Sequence, residues 1–170
     1  TMMNKGLEVI EAHWLFGLPV DKINVVVHPQ SIIHSMVQFV DGSIKAQLGL
    51  PDMKLPIQYA LTFPERFSND FKRTDLPAIN NLTFFEPDFN KFECLQLAFD
   101  VIKSGGTAPC ILNAANEIAV DKFINKKIKF SQISDLIKKA LDKIENHSDP
   151  DIDTIFECDR RTREFVSSLN

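Results

Sequence analysis

The residues best suited to chemistry lie near the start of the chain. Asn4, Lys5 and Glu8 provide an amide, an ammonium and a carboxylate within one short segment. On a helix with roughly 3.6 residues per turn, Asn4 and Glu8 lie roughly 40° apart, and Lys5 lies roughly 60° from Glu8. The free N–H groups of a helix N-terminus favour phosphate, and a carboxylate is a hard ligand for magnesium or manganese. The same spacing is also typical of a solvated helix face.

Three histidines are further candidates, at positions 13, 28 and 34. We expect each to be a hydrogen-bonded structural histidine, because neutral histidine is commonly part-buried in proteins. The sequence supports no serine–histidine–acid arrangement and contains no glycine-rich nucleotide loop.

Two polar groups occur later in the chain. Asn113, Asn116 and Glu117 share a helical face, and we favour hydrogen bonding within or between domains over substrate contact for them. The lysines at positions 122, 126, 127 and 129 are predicted to form a solvated face, because the chain as a whole is acidic.

A helix over residues 1–18 must position the first three candidates. The spacing predicts an apolar face formed by Met3, Leu7, Ile10 and Trp14. Gly17 and Pro19 are predicted to end this helix.

Strand-like runs follow this helix. Residues 23–27 are apolar and β-branched, which predicts a short buried strand. Residues 32–40 and 43–48 are joined by an Asp-Gly pair at 41–42, which predicts an antiparallel β-hairpin. A short helix is expected next, ending before Pro64.

The second half of the chain is predicted to be helical. Residues 64–91 carry several prolines and little periodicity, so they are interpreted as a linker or a functional loop. Four amphipathic helices are predicted after residue 92, with Ser131 as an N-cap of the third and a start near Asp153 for the fourth. The apolar face of the first is predicted to comprise Phe92, Leu95, Phe99 and Ile102, and that of the third Ile133, Leu136, Ile137, Ala140, Leu141 and Ile144. The predicted fold class is therefore α+β: a partial domain with a helix and an antiparallel hairpin over 1–63, a linker over 64–91, and a four-helix bundle over 92–170.

Composition narrows the class of protein. The net charge of −4 argues against nonspecific binding of nucleic acid. No apolar stretch approaches the roughly 18 residues of a membrane span, so no membrane partner is expected. Three widely spaced cysteines are typical of reduced thiols in a cytoplasmic protein, and neither a disulfide framework nor a zinc site is expected. The first six residues run straight into a helical pattern, which suggests a chain opened in the middle of a domain; a tag remnant is the alternative.

Five motifs, in the expected order, resemble those of the deoxyxylulose-phosphate reductoisomerases. They are TMMNKGLE at 1–8, HPQS at 28–31 followed by IHS at 33–35, AQLG at 46–49 followed by PDM at 51–53, LTF at 82–84, and LNAANE at 112–117. The similarity covers nearly the whole chain.

The resemblance implies an enzyme of three parts: an N-terminal NADPH-binding domain, a central catalytic domain and a C-terminal helical bundle. Such an enzyme converts 1-deoxy-D-xylulose 5-phosphate to 2-C-methyl-D-erythritol 4-phosphate, on the methylerythritol phosphate route to isoprenoid precursors. The chain looks like the second half of the catalytic domain with the linker and the bundle. The implied partners are the sugar-phosphate substrate, the missing N-terminal half and a second copy in a homodimer to which the hairpin contributes.

The resemblance also implies roles for individual residues. Asn4 and Lys5 are similar to residues that bind the substrate phosphate, and Lys5 and Glu8 to catalytic residues. Glu8 corresponds to one carboxylate ligand of Mg²⁺ or Mn²⁺. Two further sets have lesser roles: His34 is similar to a supporting histidine, while Pro51 and Met53 look like residues that border the nicotinamide of NADPH.

Several parts of the family pattern are absent from the sequence. The dinucleotide fingerprint, the Asp-Ser-Glu segment with the other metal carboxylates, the rest of the phosphate pocket and its lid are missing. A lone carboxylate cannot hold magnesium usefully, so the chain by itself is predicted to be inactive. Two alternatives stay open: a non-catalytic dimerisation or interaction module on the same scaffold, and a phosphate-binding domain that works with a partner chain.

Overall fold

The computed structural model describes residues 1–169. Over these residues the chain forms seven α-helices, one short 3₁₀ helix and one two-stranded antiparallel sheet, so the predicted α+β class is confirmed. In chain order the elements are α1 (Met3–Phe16), the 3₁₀ helix (Val20–Lys22), β1 (Ile33–Gln38), β2 (Ile44–Leu48), α2 (Lys54–Thr62), α3 (Leu76–Ile79), α4 (Glu93–Ser104), α5 (Ala108–Ile124), α6 (Gln132–Lys143) and α7 (Ile152–Ser168). None of the helices in this range is long and apolar enough to cross a membrane.

The contacts within the chain divide it into two compact units. The helical unit comprises residues 1–25 together with the described residues from 87 onward, and the hairpin unit comprises residues 26–86. These limits differ from the predicted domain boundaries at residues 63 and 91. The difference arises because α1 buries Met3, Gly6 and Val9 and packs against α4, which joins it to the helices of the second half.

The core of the helical unit lies between α4, α5, α6 and α7, as the predicted four-helix bundle requires. Helix α5 contacts all three of the others. Its buried residues are mainly alanines, Ala108, Ala114, Ala115 and Ala119, with Ile111 and Leu112. These short side chains allow close approach, and each buried leucine or isoleucine stabilises the fold by roughly 1.5–3 kcal/mol.

The predicted helix faces are only partly correct. On α6 the expected stripe is buried, with Ile133, Leu136, Ile137 and Ala140 in the core. On α4 the prediction favoured the large residues Phe92, Leu95, Phe99 and Ile102, whereas the helix buries Cys94, Leu95, Ala98 and Val101. On α1, Leu7 and Ile10 pack against the core as predicted, but Trp14 is 72% exposed because the packed face ends before the last turn.

Local chemistry marks some of the helix ends. Gly17 ends α1 in the left-handed conformation that glycine adopts without steric cost, as predicted. Asp151 caps α7 by accepting a hydrogen bond from the Thr154 N–H at 2.8 Å, so this helix starts slightly earlier than predicted. Ser131 occupies the N-cap position of α6 as predicted, but its side chain makes no capping hydrogen bond there.

The loops before α5 and after α6 are joined by hydrogen bonds. The buried Thr107 donates its N–H to the His147 carbonyl at 3.0 Å, and its hydroxyl oxygen accepts from the His147 N–H at 3.1 Å. Gly106 lies next to these two hydrogen bonds, which we call the joint between Thr107 and His147. Its φ is 61°, and a Cβ at this position would collide with the His147 carbonyl. Glycine is therefore required at this position for both conformation and space.

The predicted hairpin is confirmed in the hairpin unit. Strands β1 and β2 are antiparallel, with Met36 opposite Ala46 and an irregularity between Ile33 and Ser35. The carboxylate of Asp41 accepts hydrogen bonds from the Ser43 N–H at 2.9 Å and from its hydroxyl at 2.6 Å, which fixes the turn.

The predicted strand over residues 23–27 was wrong. Of these residues, only Val27 pairs, in an isolated antiparallel bridge with Phe85. Val26 is 40% exposed, so this apolar run does not have the burial that the prediction assumed. A short β-branched run becomes a strand only where a neighbouring strand is available along its length.

The segment predicted as a linker makes specific contacts in the hairpin unit. The guanidinium of Arg66 lies 3.9 Å from the centre of the Tyr59 ring, and the Asn69 amide donates to Gln58 Oε1 at 2.7 Å. Helix α3 is capped by Asp75, whose carboxylate accepts from the Ala78 N–H at 3.2 Å. Arg66 and Asn69 thus hold the first part of this segment against α2.

Lys122 differs from the solvated lysine predicted. Its side chain is 9% exposed, and Nζ donates to the Ser167 carbonyl at 2.9 Å and to the Leu169 carbonyl at the end of α7. A cation in this position satisfies carbonyl groups that the helix itself leaves unpaired and lies at the negative end of its dipole. The other lysines of the run, at 126, 127 and 129, are exposed as predicted.

We expect Lys122→Met to lower the free energy of unfolding of this chain by roughly 1–3 kcal/mol, because the last carbonyls of α7 lose a charged donor. Urea unfolding followed by circular dichroism measures the change. Lys127→Met removes the same charge at an exposed position and should change the value by less than about 0.5 kcal/mol. Equal effects of the two substitutions would show that the contacts of Lys122 do not stabilise the helix end.

Candidate functional site

Helix α1 presents the first three candidate residues on its polar side. Met3, Gly6 and Val9 form the buried face, whereas Asn4 and Glu8 are exposed. This division follows from the helical repeat, which turns residues 4 and 8 away from residues 6 and 9. The candidate side chains are thus accessible and rest on a helix fixed by its apolar face.

Lys5 and Glu8 meet on this surface. Lys5 Nζ donates to Glu8 Oε2 at 2.5 Å, and the two side chains are 43% and 55% exposed. Exposed ion pairs between residues three apart on a helix are weak, because water screens them and both side chains lose freedom. Neither group is therefore committed to the other, and an incoming anion or cation can compete for either one.

The N-terminal end of α1 is open to an anion. Met2 precedes the helix with a φ of 57° and provides no side-chain cap, and the first turn contains no acidic residue. The Met3 N–H donates to the Thr1 hydroxyl at 3.2 Å. The positive end of the helix dipole is consequently not neutralised within the first turn. Lys5 adds a full positive charge at the same end.

Residues 1–169 contain no complete site for a divalent cation. No cluster of three or more histidine, cysteine, aspartate or glutamate side chains suited to a metal occurs within residues 1–169. The Glu8 carboxylate is exposed and of the right chemical type for one oxygen ligand of magnesium or manganese. The remaining ligands would have to come from another part of a larger protein or from a bound substrate.

His34, Pro51 and Met53 belong to the hairpin unit. His34 lies in β1, and its Nε2 is 3.2 Å from the carbonyl oxygen of Gly49, two residues before Pro51. Asp52 stabilises the turn between β2 and α2, because its carboxylate accepts a hydrogen bond from the Lys54 N–H at 2.9 Å. Pro51 is exposed and Met53 is 69% exposed. Pro51 and Met53 thus form a small exposed apolar surface on a turn that His34 contacts through the Gly49 carbonyl.

The other two histidines are hydrogen-bonded, as expected for structural histidines. His13 Nδ1 lies 2.6 Å from the Leu18 carbonyl at the end of α1. His28 Nδ1 lies 2.8 Å from the Thr83 carbonyl, and its ring stacks on Phe84 with centroids 4.7 Å apart.

Two motifs identified separately in the sequence contact each other through Gln30 and Thr83. The Gln30 amide donates to the Thr83 hydroxyl at 2.9 Å, and its carbonyl oxygen accepts from the Thr83 N–H at 3.1 Å. Together with the His28 contacts, these bonds hold residues 82–85 to the segment that precedes β1. Sequence reasoning missed this pairing because the motifs are more than fifty residues apart and carry no periodic signal.

The polar face of α5 serves the bundle. The Asn113 amide donates to Glu117 at 3.1 Å, and Glu117 forms an ion pair of 2.8 Å with Arg163 on α7. Arg163 also binds Asp159 at 2.7 Å. Asn113 and Glu117 therefore form hydrogen bonds within the bundle, in agreement with the interpretation favoured from the sequence. Asn116 differs, because its Oδ1 is buried and has no hydrogen-bond partner within residues 1–169.

Comparison with known proteins identifies close relatives. The model of the DXP reductoisomerase C-terminal domain matches residues 48–165. The 1-deoxy-D-xylulose 5-phosphate reductoisomerase of Chloroherpeton thalassium is 57% identical over 166 residues, which are 98% of this chain and 43% of that protein. The protein of the same name from Acetivibrio thermocellus is 56% identical over 169 residues, or 99% of this chain and 44% of its own length. The chain thus spans less than half the length of these relatives.

Solved structures agree with this result. The reductoisomerase from Zymomonas mobilis in complex with NADPH superimposes with a TM-score of 0.93 at 44% identity, over 99% of this chain and 44% of its own. A DOX-P reductoisomerase in complex with NADPH, fosmidomycin and magnesium superimposes with a TM-score of 0.92 at 42% identity, over 98% of this chain and 43% of its own.

We expect Thr83→Val to loosen residues 82–85 while preserving the shape of the side chain, because the hydroxyl bonded to Gln30 is lost. Hydrogen exchange of the Val27 and Phe85 amides, which bond across the bridge at 2.8 and 2.9 Å, should accelerate by about two- to tenfold. Ser68→Ala removes a hydroxyl from an exposed residue of the same unit and should leave both rates unchanged. Unchanged exchange in Thr83→Val would mean that the Gln30 contact does not hold the bridge.

Proposed function

Because the chain belongs to the DXP reductoisomerase family through its C-terminal domain, we propose that it supplies part of the substrate and metal site of an NADPH-dependent reductoisomerase. The reaction is the conversion of 1-deoxy-D-xylulose 5-phosphate to 2-C-methyl-D-erythritol 4-phosphate, a step of isoprenoid precursor biosynthesis. The observation that carries the proposal is the meeting of Lys5 and Glu8 on the exposed side of α1, in a chain matched along 98% of its length by a reductoisomerase.

Asn4 and Lys5 are proposed to bind the phosphate of the substrate. At the start of α1 the Met3 N–H is bonded to Thr1, but Met2 offers no side-chain cap, so the following backbone N–H groups can contribute. Asn4 contributes an amide donor and Lys5 contributes a positive charge. Lys5 would turn from Glu8 toward the phosphate, which is a small movement for an exposed lysine. Phosphate binding away from the reacting carbons supplies binding energy that orients the sugar.

Glu8 is proposed to supply one carboxylate oxygen to a divalent cation, Mg²⁺ or Mn²⁺. Its exposed carboxylate fits that role, and its one ion-pair partner among residues 1–169 is the part-exposed Lys5. When bound, the cation would polarise the carbonyl of the substrate, and NADPH would supply the reducing equivalents. Glu8 therefore links metal affinity to the position of α1.

The turn around Pro51 is proposed to border the nicotinamide ring of NADPH. Pro51 and Met53 offer an exposed apolar surface that suits the face of an aromatic ring. His34 supports this turn through its contact with the Gly49 carbonyl, so its role would be positioning and not chemistry.

The hairpin is proposed to contribute to a homodimer. Val37 and Phe39 are each at least half exposed and lie two residues apart, so both project from the same face of the hairpin, and contiguous exposed apolar surface of this kind marks interaction sites. A second copy that covers them would remove this apolar surface from water.

The three free thiols are consistent with the reducing cytoplasm, which we propose as the compartment.

The first test concerns the missing part of the enzyme. The full-length enzyme is defined here as this chain preceded by the N-terminal part that its relatives carry, for example that of the Acetivibrio thermocellus protein. We expect the chain alone to give no oxidation of NADPH with 1-deoxy-D-xylulose 5-phosphate and Mg²⁺, because one carboxylate cannot hold the cation. The full-length enzyme should turn over, as measured by NADPH absorbance.

Two outcomes of this test would contradict the proposal. Turnover by the chain alone would show that it needs no N-terminal part. An inactive full-length enzyme, beside an active and unmodified Acetivibrio protein, would favour the second candidate function, a non-catalytic dimerisation module. The exposed apolar surface of the hairpin is the observation that supports that alternative.

The second test addresses the roles of Lys5 and Glu8 in the full-length enzyme. Lys5→Met should raise the KM for substrate and lower kcat/KM about 10- to 100-fold, because a charged donor to phosphate is lost. Glu8→Gln should raise the Mg²⁺ concentration for half-maximal activity by about tenfold or more. Steady-state kinetics with substrate and Mg²⁺ varied separately distinguishes the two effects.

Matched controls lie on or near the same helix. Glu11→Gln removes a negative charge from an exposed position of α1 and is the control for Glu8→Gln. Lys22→Met removes a positive charge from an exposed position of the 3₁₀ helix and is the control for Lys5→Met. Both should leave the kinetic constants within about twofold of the unmodified enzyme. If the controls and the site variants behave alike, the proposed phosphate and metal roles are wrong.

A further inference from the structure

Gly6 occupies the closest point between α1 and α4. A Cβ added to Gly6 would lie 2.6 Å from the Ala98 Cβ, 3.6 Å from the Cys94 carbonyl oxygen and 3.8 Å from the Leu95 Cα. Ala98 is completely buried, and its methyl group has no rotamer that would move it aside. The collision is therefore with the Ala98 methyl group, while the two backbone atoms of α4 lie at ordinary contact distance.

The need for glycine at this position comes from space and not from backbone conformation. The glycines with positive φ are at positions 17, 42, 105 and 106, so Gly6 has an ordinary helical backbone that any residue can adopt. Glycine in a helix interior is intrinsically unfavourable compared with alanine. Because carbon atoms in contact are normally about 3.5–4 Å apart, a Cβ here would displace α1 by about 1 Å.

The same residue lies directly behind the proposed site. Gly6 falls between Lys5 and Glu8 in the chain, and Glu8 lies roughly 160° from it around the helix. Any movement of α1 away from α4 is thus transmitted to the Glu8 carboxylate and the Lys5 ammonium. Helix α4 is itself held in the bundle core by Cys94, Ala98 and Val101.

We propose that the contact between Gly6 and Ala98 is a positioning contact, through which the helical bundle sets how far Lys5 and Glu8 project toward the substrate phosphate and the divalent cation. Gly6 is then a positioning residue that touches neither ligand. The inference rests on the proposed function. It also gives the C-terminal helices a role, because the packing of α1 against α4 determines the position of α1.

The test uses three variants of the full-length enzyme: Gly6→Ala, Ala98→Gly and the double variant. Gly6→Ala should lower kcat/KM about 100-fold, since a displacement of about 1 Å from the productive geometry has effects of that size. The Mg²⁺ concentration for half-maximal activity should rise, and circular dichroism should show a folded protein. Ala98→Gly alone should retain kcat/KM within a few-fold.

The double variant is the decisive one, because it moves the methyl group from α4 to α1 and removes the collision. Both kcat/KM and the Mg²⁺ requirement should return to within a few-fold of the unmodified enzyme. Since Gly6→Ala raises the intrinsic helix propensity of α1, a loss of activity in that variant cannot arise from a weaker helix. A change in general stability would not shift the Mg²⁺ requirement at a temperature where every variant is folded.

Normal kinetics in Gly6→Ala would overturn the inference, as would an activity loss that Ala98→Gly does not restore. If Gly6→Ala does not fold, the double variant decides: normal Mg²⁺ dependence supports the inference, whereas an altered dependence or failure to fold contradicts it. Lys5→Met and Glu8→Gln are measured alongside. If they leave the kinetics unchanged, the proposed function is wrong; if they alone reduce activity, only the positioning role of Gly6 is wrong.

Discussion

Helix α1 meets α4 at Gly6 and Ala98, where the two backbones approach with a single methyl group between them. Every candidate group on α1 depends on this approach. The buried face of Met3, Gly6 and Val9 attaches the helix to the bundle, and the opposite face leaves Asn4 and Glu8 in solvent. A well-packed interior resists small displacements, so the position of the polar groups follows from apolar packing on the other side of the helix.

The chemistry that this chain can offer is partial. In the proposed assignment an ammonium, an amide, a helix N-terminus and one carboxylate would bind a phosphate and contribute to a cation site. They are not enough to complete either site. The relatives are more than twice as long as the chain, and the proposed assignment requires the rest of the constellation to come from the part that the chain does not span.

Much of the fold was predictable from local signals. The Asp-Gly turn between two β-branched runs identified the hairpin, and the apolar repeat of α6 identified its buried stripe. The errors occurred where long-range packing decides. On α4 the prediction favoured large side chains, but the close approach of neighbouring helices selects Ala98 and Cys94 for the core. Lys122 is buried because the carbonyls of a helix more than forty residues later lie within its reach, which no local pattern reveals.

The candidate site shows the same division. The spacing of Asn4, Lys5 and Glu8 predicted a shared polar face, since that follows from the helical repeat alone. The contact between Gly6 and Ala98 could not be predicted, because Ala98 lies on a helix about ninety residues later in the chain. A glycine in the interior of an otherwise good helical pattern was the available signal, and it indicates close packing only when no turn requires the residue.

The joint between Thr107 and His147 has a consequence for how the bundle comes apart. Reciprocal bonds between Thr107 and His147 tie the loop that enters α5 to the loop that leaves α6. Loops normally tolerate inserted residues and open first on heating. Here an opening of either loop breaks the hydrogen bonds of both, so the ends of α4, α5 and α6 should melt as one cooperative group. Length variation in these two loops should accordingly be far rarer among homologues than their exposed position suggests.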